Sequence, residues 1–321
     1  MSVVVSSLTK YYGSTKAVDN ISFSVNMGEV VGLLGPNGAG KTTIARMITG
    51  YLSPSSGVIE VNGRNVLTNT FEARKLVGYL PEDNPLYPDM DVVEYLEFIA
   101  HLQGVPAKMA PRRIKAVIET FDLQEVKHAE IGTLSKGFRQ RVGIAQAMIH
   151  LPQVVILDEP TNGLDPNQIL EFRQYVRQIG KEKAVILSTH TLSEVQAVCD
   201  RVIIMDKGRK LADARLADLA LQYEGAQKFF VGLDLPDGYE VAKVEQHLKS
   251  IDGVVLVSPL AQLEQNEKTR GFYVESRKDG NMRRQLFQIC VQQGWTLVHL
   301  YRGRVQIEDI FHRITTGQVR Q

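Results

Sequence analysis

Residues 1 to about 220 alternate short β-branched and aliphatic runs with helical patterns and glycine-rich turns. Val30-Val31-Gly32-Leu33-Leu34 is a continuous apolar run, followed by a glycine-rich loop and a helical pattern from Thr42 to Thr49. Val154-Val155-Ile156-Leu157, Ala184-Val185-Ile186-Leu187 and Val202-Ile203-Ile204-Met205 repeat it. Strands without polar alternation are buried on both faces. Alternated with helices, they predict an α/β fold whose sheet is covered on both sides. Between about Asp91 and His150 the strand runs give way to helical patterns at Val92 to Gln103, Pro111 to Phe121 and Gly137 to His150. This reads as a helical subdomain, about residues 83–150, inserted between two sheet strands.

After about Leu221 the texture changes. Strands are expected at Lys228 to Leu233, Gly253 to Ser258, Gly271 to Ser276 and Trp295 to Leu300. Helices are expected at Val241 to Ile251, Met282 to Gln293 and Gln306 to Ile314. The order β-α-β-β-α-β plus a helix predicts a small α+β unit of ferredoxin-like type. The join, Leu211 to Glu224, is helical in composition. The expected domains are 1–221 and 222–321.

Composition narrows the class without naming the chemistry. A length of 321 residues fits about two domains, and 44% hydrophobic residues suffice for ordinary cores. With 37 Lys and Arg against 36 Asp and Glu, no global field draws the chain to nucleic acid. Cys199 and Cys290 are the two cysteines, which excludes a disulfide framework or a four-cysteine zinc site. The amino terminus has no basic flank or cleavage pattern of a secretory signal. No run approaches ~18 consecutive apolar residues, so no membrane span is expected.

The chemistry begins at Gly35-Pro36-Asn37-Gly38-Ala39-Gly40-Lys41-Thr42-Thr43, which satisfies G-x-x-x-x-G-K-[ST] between a buried strand and a helix. Glycines let backbone N–H groups turn onto phosphate oxygens. Lys41 supplies a charge for the β and γ phosphates, and Thr42 a hydroxyl for Mg²⁺. Chance occurrence in a chain of this length is about one in a hundred, so an ordinary glycine-rich turn is a weak rival. The loop requires an acidic partner at another strand end. Asp158 provides it, as a ligand for Mg²⁺ or its waters, and Glu159 follows, placed to polarise an attacking water.

Further motifs resemble a family. Leu134-Ser135-Lys136-Gly137-Phe138-Arg139-Gln140-Arg141 resembles the signature motif of ABC-type ATPases, Asn162-Gly163-Leu164-Asp165 the D-loop, and Ser188-Thr189-His190 the switch-histidine strand. Tyr12 sits where that family stacks adenine on an aromatic ring. The resemblance covers about residues 1 to 220 and rests on six motifs in order. It implies ATP with Mg²⁺ as ligands and a head-to-tail homodimer. Ser135 and Gly137 would contact the γ-phosphate in trans, Asp165 would approach the partner's phosphate loop, and His190 would hold the γ-phosphate and the water. The resemblance departs at two places. Glu82 stands where the family usually has Gln, and is expected as a metal ligand; the signature reads Leu-Ser-Lys-Gly-Phe rather than Leu-Ser-Gly-Gly-Gln. Both are familiar in ABC-2-type exporter ATPases, as is a carboxy-terminal extension ending in Ile307-Glu308-Asp309-Ile310-Phe311. Within that group the nearest resemblance is to the gliding-motility ATPases.

The resemblance implies an ATP-hydrolysing exporter subunit that drives a separate integral membrane permease. It would sit peripherally on the cytoplasmic face of the inner (plasma) membrane. The helical subdomain would supply the docking groove. Leu86, Tyr87, Met90 and Tyr95 fit either its rim or internal packing. The second domain reads as a dimerisation or regulatory module: Glu275 and Arg277 form no catalytic constellation, and its strands lack a basic-aromatic signature for RNA. No nucleic-acid partner is expected. The alternatives are a soluble ABC ATPase of translation or DNA repair, disfavoured by the single phosphate loop and the lack of long coiled coils, and an ATP-binding switch without turnover.

Overall fold

The computed structural model describes residues 1–218, 226–236, 239–260, 269–277 and 281–303, and the chain divides into two compact units, Met1–Leu216 and Ala217–Gln321. The first unit opens with β1 (Val3–Tyr12), β2 (Thr15–Val25), β3 (Val30–Leu34), α1 (Lys41–Ile48), β4 (Ser56–Val61), β5 (Arg64–Asn65), α2 (Thr70–Arg74) and β6 (Val77–Leu80). Helices α3 (Val92–Leu102), α4 (Ala110–Thr120) and α5 (Lys136–Met148) follow. The unit closes with β7 (Val154–Asp158), α6 (Pro166–Gly180), β8 (Ala184–Thr189), α7 (Leu192–Val198), β9 (Arg201–Asp206) and β10 (Arg209–Arg215).

Two sheets result. One is six-stranded, in the order β10-β9-β3-β8-β7-β6; its members are parallel except β10, which runs antiparallel to β9 along one edge. The four apolar runs are β3, β7, β8 and β9, and every residue of the first three is buried. The other sheet, β2-β1-β4-β5, is antiparallel. Its strands bury one face: Val18, Ile21, Phe23 and Val25 point inward on β2. Helix α1 shares one core with both sheets, with Ile44, Ala45, Met47 and Ile48 at most 1% exposed.

Side chains punctuate the helices. Asp91 and Glu94 form a capping box at the start of α3, Ser135 caps α5, and Asp165 with Gln168 forms a second box at α6, which carries Pro at its start. The expected helix in the joining segment is corrected in part. Leu211–Arg215 belongs to strand β10, paired antiparallel with β9; residues 219–225 lie outside the described residues.

The second unit contains β11 (Ala226–Asp234), α8 (Val241–Lys249), β12 (Val254–Leu260), β13 (Thr269–Arg277), α9 (Met282–Gln293) and β14 (Thr296–Gly303). The sheet order β12-β13-β11-β14, antiparallel throughout, is the ferredoxin-like arrangement. Phe229, Val231 and Leu233 of β11 share a core with Val244 and Leu248 of α8 and Leu286 and Cys290 of α9. The alternate residues carry an aromatic group absent from the sequence reading. Phe230 pairs across strands with both Tyr273 and Tyr301, its ring stacked on Tyr301 at 5.0 Å, with the Lys228 ammonium 5.8 Å from the Tyr273 ring. The expected helix at Gln306 to Ile314, with Ile307–Phe311, lies outside the described residues. No helix among the described residues is long and apolar enough to cross a membrane.

Candidate functional site

The site forms at the carboxyl ends of β3, β8 and β7, three neighbours in the parallel sheet, where ligands of open α/β sheets bind. The loop from Gly35 to Gly40 joins β3 to α1, with Pro36, Asn37 and Gly38 exposed and Ala39 buried. Gly40 caps α1 in a left-handed conformation (φ 100°) with no side-chain acceptor, and a Cβ there would lie 2.6 Å from the Ala17 carbonyl oxygen. No other residue fits. The first N–H groups of α1 therefore face the loop uncapped by a side chain, an anion-binding arrangement.

Lys41 starts α1 and is buried. Its Nζ donates to Gly35 O (2.7 Å) and Pro36 O (3.2 Å) and lies 3.4 Å from Glu159 Oε1. Thr42 and Thr43 are half-buried. Asp158 ends β7, fully buried. Its Oδ1 accepts the Thr42 hydroxyl (3.2 Å) and its Oδ2 the Tyr79 hydroxyl (3.4 Å). Burial first, then the Asp158 charge, push the Tyr79 phenol well above its usual range, so it remains a donor.

Glu159 has a positive φ of 45°, and its N–H donates to Ser188 O at 2.9 Å. The kink sends Glu159 Oε2 to His190 Nδ1 at 2.8 Å, just beyond the end of β8. Glu159 Oε1 is buried without a hydrogen-bond donor, and the Lys41 charge 3.4 Å away is what offsets its burial. Strand order thus gathers Lys41, Thr42, Asp158, Glu159 and His190.

Thr42 and Asp158 offer adjacent hard oxygen donors, a set that suits Mg²⁺ with its waters and phosphates. Glu82 is not joined to them. It is exposed, and its carboxylate meets the Asn162 side-chain amide at 3.5 Å. No cluster of three His, Cys, Asp or Glu able to hold a metal occurs among the described residues.

The remaining motif residues sit elsewhere. Ser135 is exposed and its Oγ accepts from Phe138 N (3.3 Å). Gly137 packs on Gln168, where a Cβ would lie 2.5 Å from the side-chain amide. Asp165 caps α6, accepting from Asn167 N and Gln168 N at 3.0 Å each. Tyr12 lies at the tip of the β1–β2 hairpin, 48% exposed, with Lys10 Nζ 5.6 Å from its ring. These four share no hydrogen bond with the phosphate loop.

A cleft of about 740 Å³ lies beside β6 against the helical subdomain, its lining including Arg46, Tyr51, Tyr79, Tyr87, Tyr95 and Phe98. Tyr95 is buried and Tyr87 half-exposed, and the two rings meet edge to face at 5.9 Å, so packing and rim coexist here. Leu86 and Met90 do not line it. Sequence reasoning missed Tyr79, Thr161 and Glu194. Their significance lies in contacts across strands.

The family model for ABC transporters matches residues 18–162. The ABC transporter ATP-binding protein YxlF of Bacillus subtilis (strain 168) is 34% identical over 313 residues, spanning 97% of this chain and 98% of its own. The Nod factor export ATP-binding protein I of Ralstonia nicotianae is 36% identical over 234 residues, 72% of this chain and 73% of its own. Among solved structures, cbiO1 of Clostridium perfringens, part of the ABC transporter complex cbiONQ, superposes with a TM-score of 0.62 at 28% identity, covering 70% of this chain and 92% of its own.

Proposed function

This chain belongs to the ABC transporter ATP-binding proteins, a family of ATPases, and from that membership we propose that it is the energy-converting subunit of an exporter. Two copies close head to tail around two ATP molecules, and hydrolysis reopens them. The phosphate loop, Gly35 to Thr43, binds the phosphates, with Lys41 on the β and γ groups. Thr42 and Asp158 would hold Mg²⁺, and Glu82, which now meets Asn162, would be a further ligand. When bound, the metal offsets charge on the phosphate oxygens. Glu159 takes the proton of the attacking water, and His190 orients that water against the γ-phosphate. Ser135 and the N–H of Gly137, at the start of α5, meet the γ-phosphate of the partner's site, where the helix's positive end favours it. Asp165 reaches across the same interface, and Tyr12 stacks on adenine.

The observation that carries this reading is the convergence on Glu159 of Lys41 Nζ, 3.4 Å from Oε1, and His190 Nδ1, 2.8 Å from Oε2, at the ends of β3, β7 and β8. It combines phosphate-binding charge, base and orienting imidazole. The exporter assignment draws on the Nod factor export relative, and the permease on the cbiONQ complex that contains cbiO1. The cleft lined by Tyr51, Tyr79 and Tyr87 is the proposed seat for a permease's cytoplasmic segment, which would place the chain peripherally on the cytoplasmic face of the inner (plasma) membrane. Domain 1–221 is the nucleotide engine and 222–321 the accessory module. Purification from membranes tests the assembly: an integral membrane protein should co-purify, with ATP turnover in the complex. Recovery of the chain wholly free of membrane protein, with full turnover, would favour the soluble ATPase instead.

A further inference from the structure

Glu194 lies in the first turn of α7, is 7% exposed, and has no part in the roles assigned above. Both its oxygens are engaged. Thr161, in the segment after β7, donates its hydroxyl to Oε1. Thr189, the last residue of β8, donates to Oε2 at 2.6 Å. Thr189 Oγ1 in turn accepts the Thr191 N–H at 3.0 Å. Thr161 is 8% exposed and Thr189 fully buried, so water does not compete for these bonds.

The placement gives the network its meaning. Thr161 follows Glu159 by two residues, and Thr189 immediately precedes His190. One carboxyl group therefore ties together the two backbone segments whose side chains meet at 2.8 Å. It also sets the bend after β8, because the Thr189 hydroxyl that it orients holds Thr191 N–H. Burying a carboxyl group is costly unless its oxygens are satisfied, and here two hydroxyls satisfy them. The left-handed backbone at Glu159 is held on one side by Ser188 O. The Thr161–Glu194 bond holds it on the other.

We propose that Glu194 is a positioning residue for hydrolysis: through Thr161 and Thr189 it braces the Glu159–His190 pair in the geometry that acts on the attacking water. This rests on the hydrolytic reading of Glu159 and His190. The brace works because a shift of about 1 Å at a reacting centre costs roughly 10²-fold in rate.

The test uses the full-length protein and separates the hydroxyl from the shape of the side chain. Thr189→Val and Thr161→Val remove the donors at nearly constant volume, while Thr189→Ser and Thr161→Ser keep them. Phosphate release gives kcat, nucleotide titration gives Kd, and thermal melting monitors folding. The Val variants should lose about tenfold or more in kcat with ATP affinity within about threefold of wild type, and the Ser variants should recover most of the rate. Glu194→Ala should match a variant carrying both Thr161→Val and Thr189→Val; should it fail to fold, the single threonine variants still decide. Folded Val variants with wild-type kcat would overturn the brace, as would Ser variants no better than Val. If Glu159→Gln and His190→Ala keep full turnover, the hydrolytic reading itself has failed. If they lose turnover while both Val variants keep it, the brace alone has failed.

Discussion

Glu159→Gln isolates the step on which the reading depends. Glutamine has the same shape, so the left-handed backbone at residue 159 (φ 45°) faces no new steric demand. Its side-chain oxygen can still meet His190, now at 2.8 Å from Glu159 Oε2. What disappears is the ability to accept a proton, together with the charge 3.4 Å from Lys41 Nζ. Loss of a general base lowers a rate by about 10²–10⁴. A factor of ~10³ is three decades at about 1.36 kcal/mol each, or about 4 kcal/mol of barrier. The stability cost is smaller. Lys41 keeps two backbone acceptors, Gly35 O and Pro36 O, so its ammonium is not stranded. Loss of one partner should then cost about 1–3 kcal/mol, seen as a fall of several degrees in Tm. Phosphate release under single-turnover conditions reads the chemical step, and titration with a fluorescent nucleotide reads binding. The expected result is a ~10³-fold slower step with affinity within about threefold of wild type. A rate within tenfold of wild type would remove Glu159 from the role of base. Equal losses in rate and affinity would assign it to binding instead.

Lys41→Ala should weaken ATP affinity by about 10–100-fold, the worth of hydrogen bonds to a charged group; unchanged affinity by calorimetry would contradict the phosphate-loop assignment. Ser135→Arg places a bulky cation at the exposed cap of α5 and should abolish ATP-induced dimers in light scattering while leaving monomer binding intact; persistent dimers would refute the trans arrangement. Acid should loosen the β9–β10 edge. Burial acts to raise the Asp213 pKa, but Arg201 and Lys210 outweigh it and hold the carboxyl below its ordinary 3.8. A depressed folded pKa gives stability that is present above 3.8 and lost as pH falls through the lower folded value. Asp213→Asn should therefore flatten the pH dependence of melting in that acid window, and an unchanged slope would show that the pair contributes nothing there.

The phosphate loop was legible because its chemistry needs consecutive residues: the glycines, Lys41 and Thr42 all belong to one turn. Asp158 and Glu159 were legible because they follow an apolar run directly. Glu194 was not, since an acidic residue in a helix's first turn is ordinary. Only the neighbouring positions of β7 and β8 bring Thr161 and Thr189 to it. Leu211–Arg215 misled for a different reason. Leu, Ala and Arg are good helix formers, but pairing with β9, Ala212 opposite Ile204 and Ala214 opposite Val202, overrides that preference. The first strand was obscured by irregularity: its alternation holds at Val3 and Val5, then breaks where Ser7 takes a positive φ and the register shifts before Leu8. In the second unit, the sequence order of strands and helices suffices for the ferredoxin-like assignment. The Phe230–Tyr301 stack needed the register of β11 with β14.

The arrangement of Lys41 also bears on how binding and hydrolysis are kept in order. Its ammonium has three N–H donors, and two of them serve Gly35 O and Pro36 O while Glu159 lies 3.4 Å away. On the proposed reading, a phosphate presented to the loop draws the Lys41 ammonium toward itself and away from Glu159 Oε1. The carboxylate then depends on His190 and on the buried strand ends for its position. On that reading, the event that delivers the substrate also withdraws the Lys41 charge from the proposed base, Glu159. His190, 48% exposed on its side chain, keeps its Nδ1 on Glu159 Oε2 at 2.8 Å while the rest of its ring faces outward, where a water or phosphate oxygen can meet it. An acceptor that was free at all times would have no such dependence. On this geometry, weakening the Lys41–Glu159 contact alone should not raise turnover, because the loop that relaxes the base is also the loop that holds the γ-phosphate.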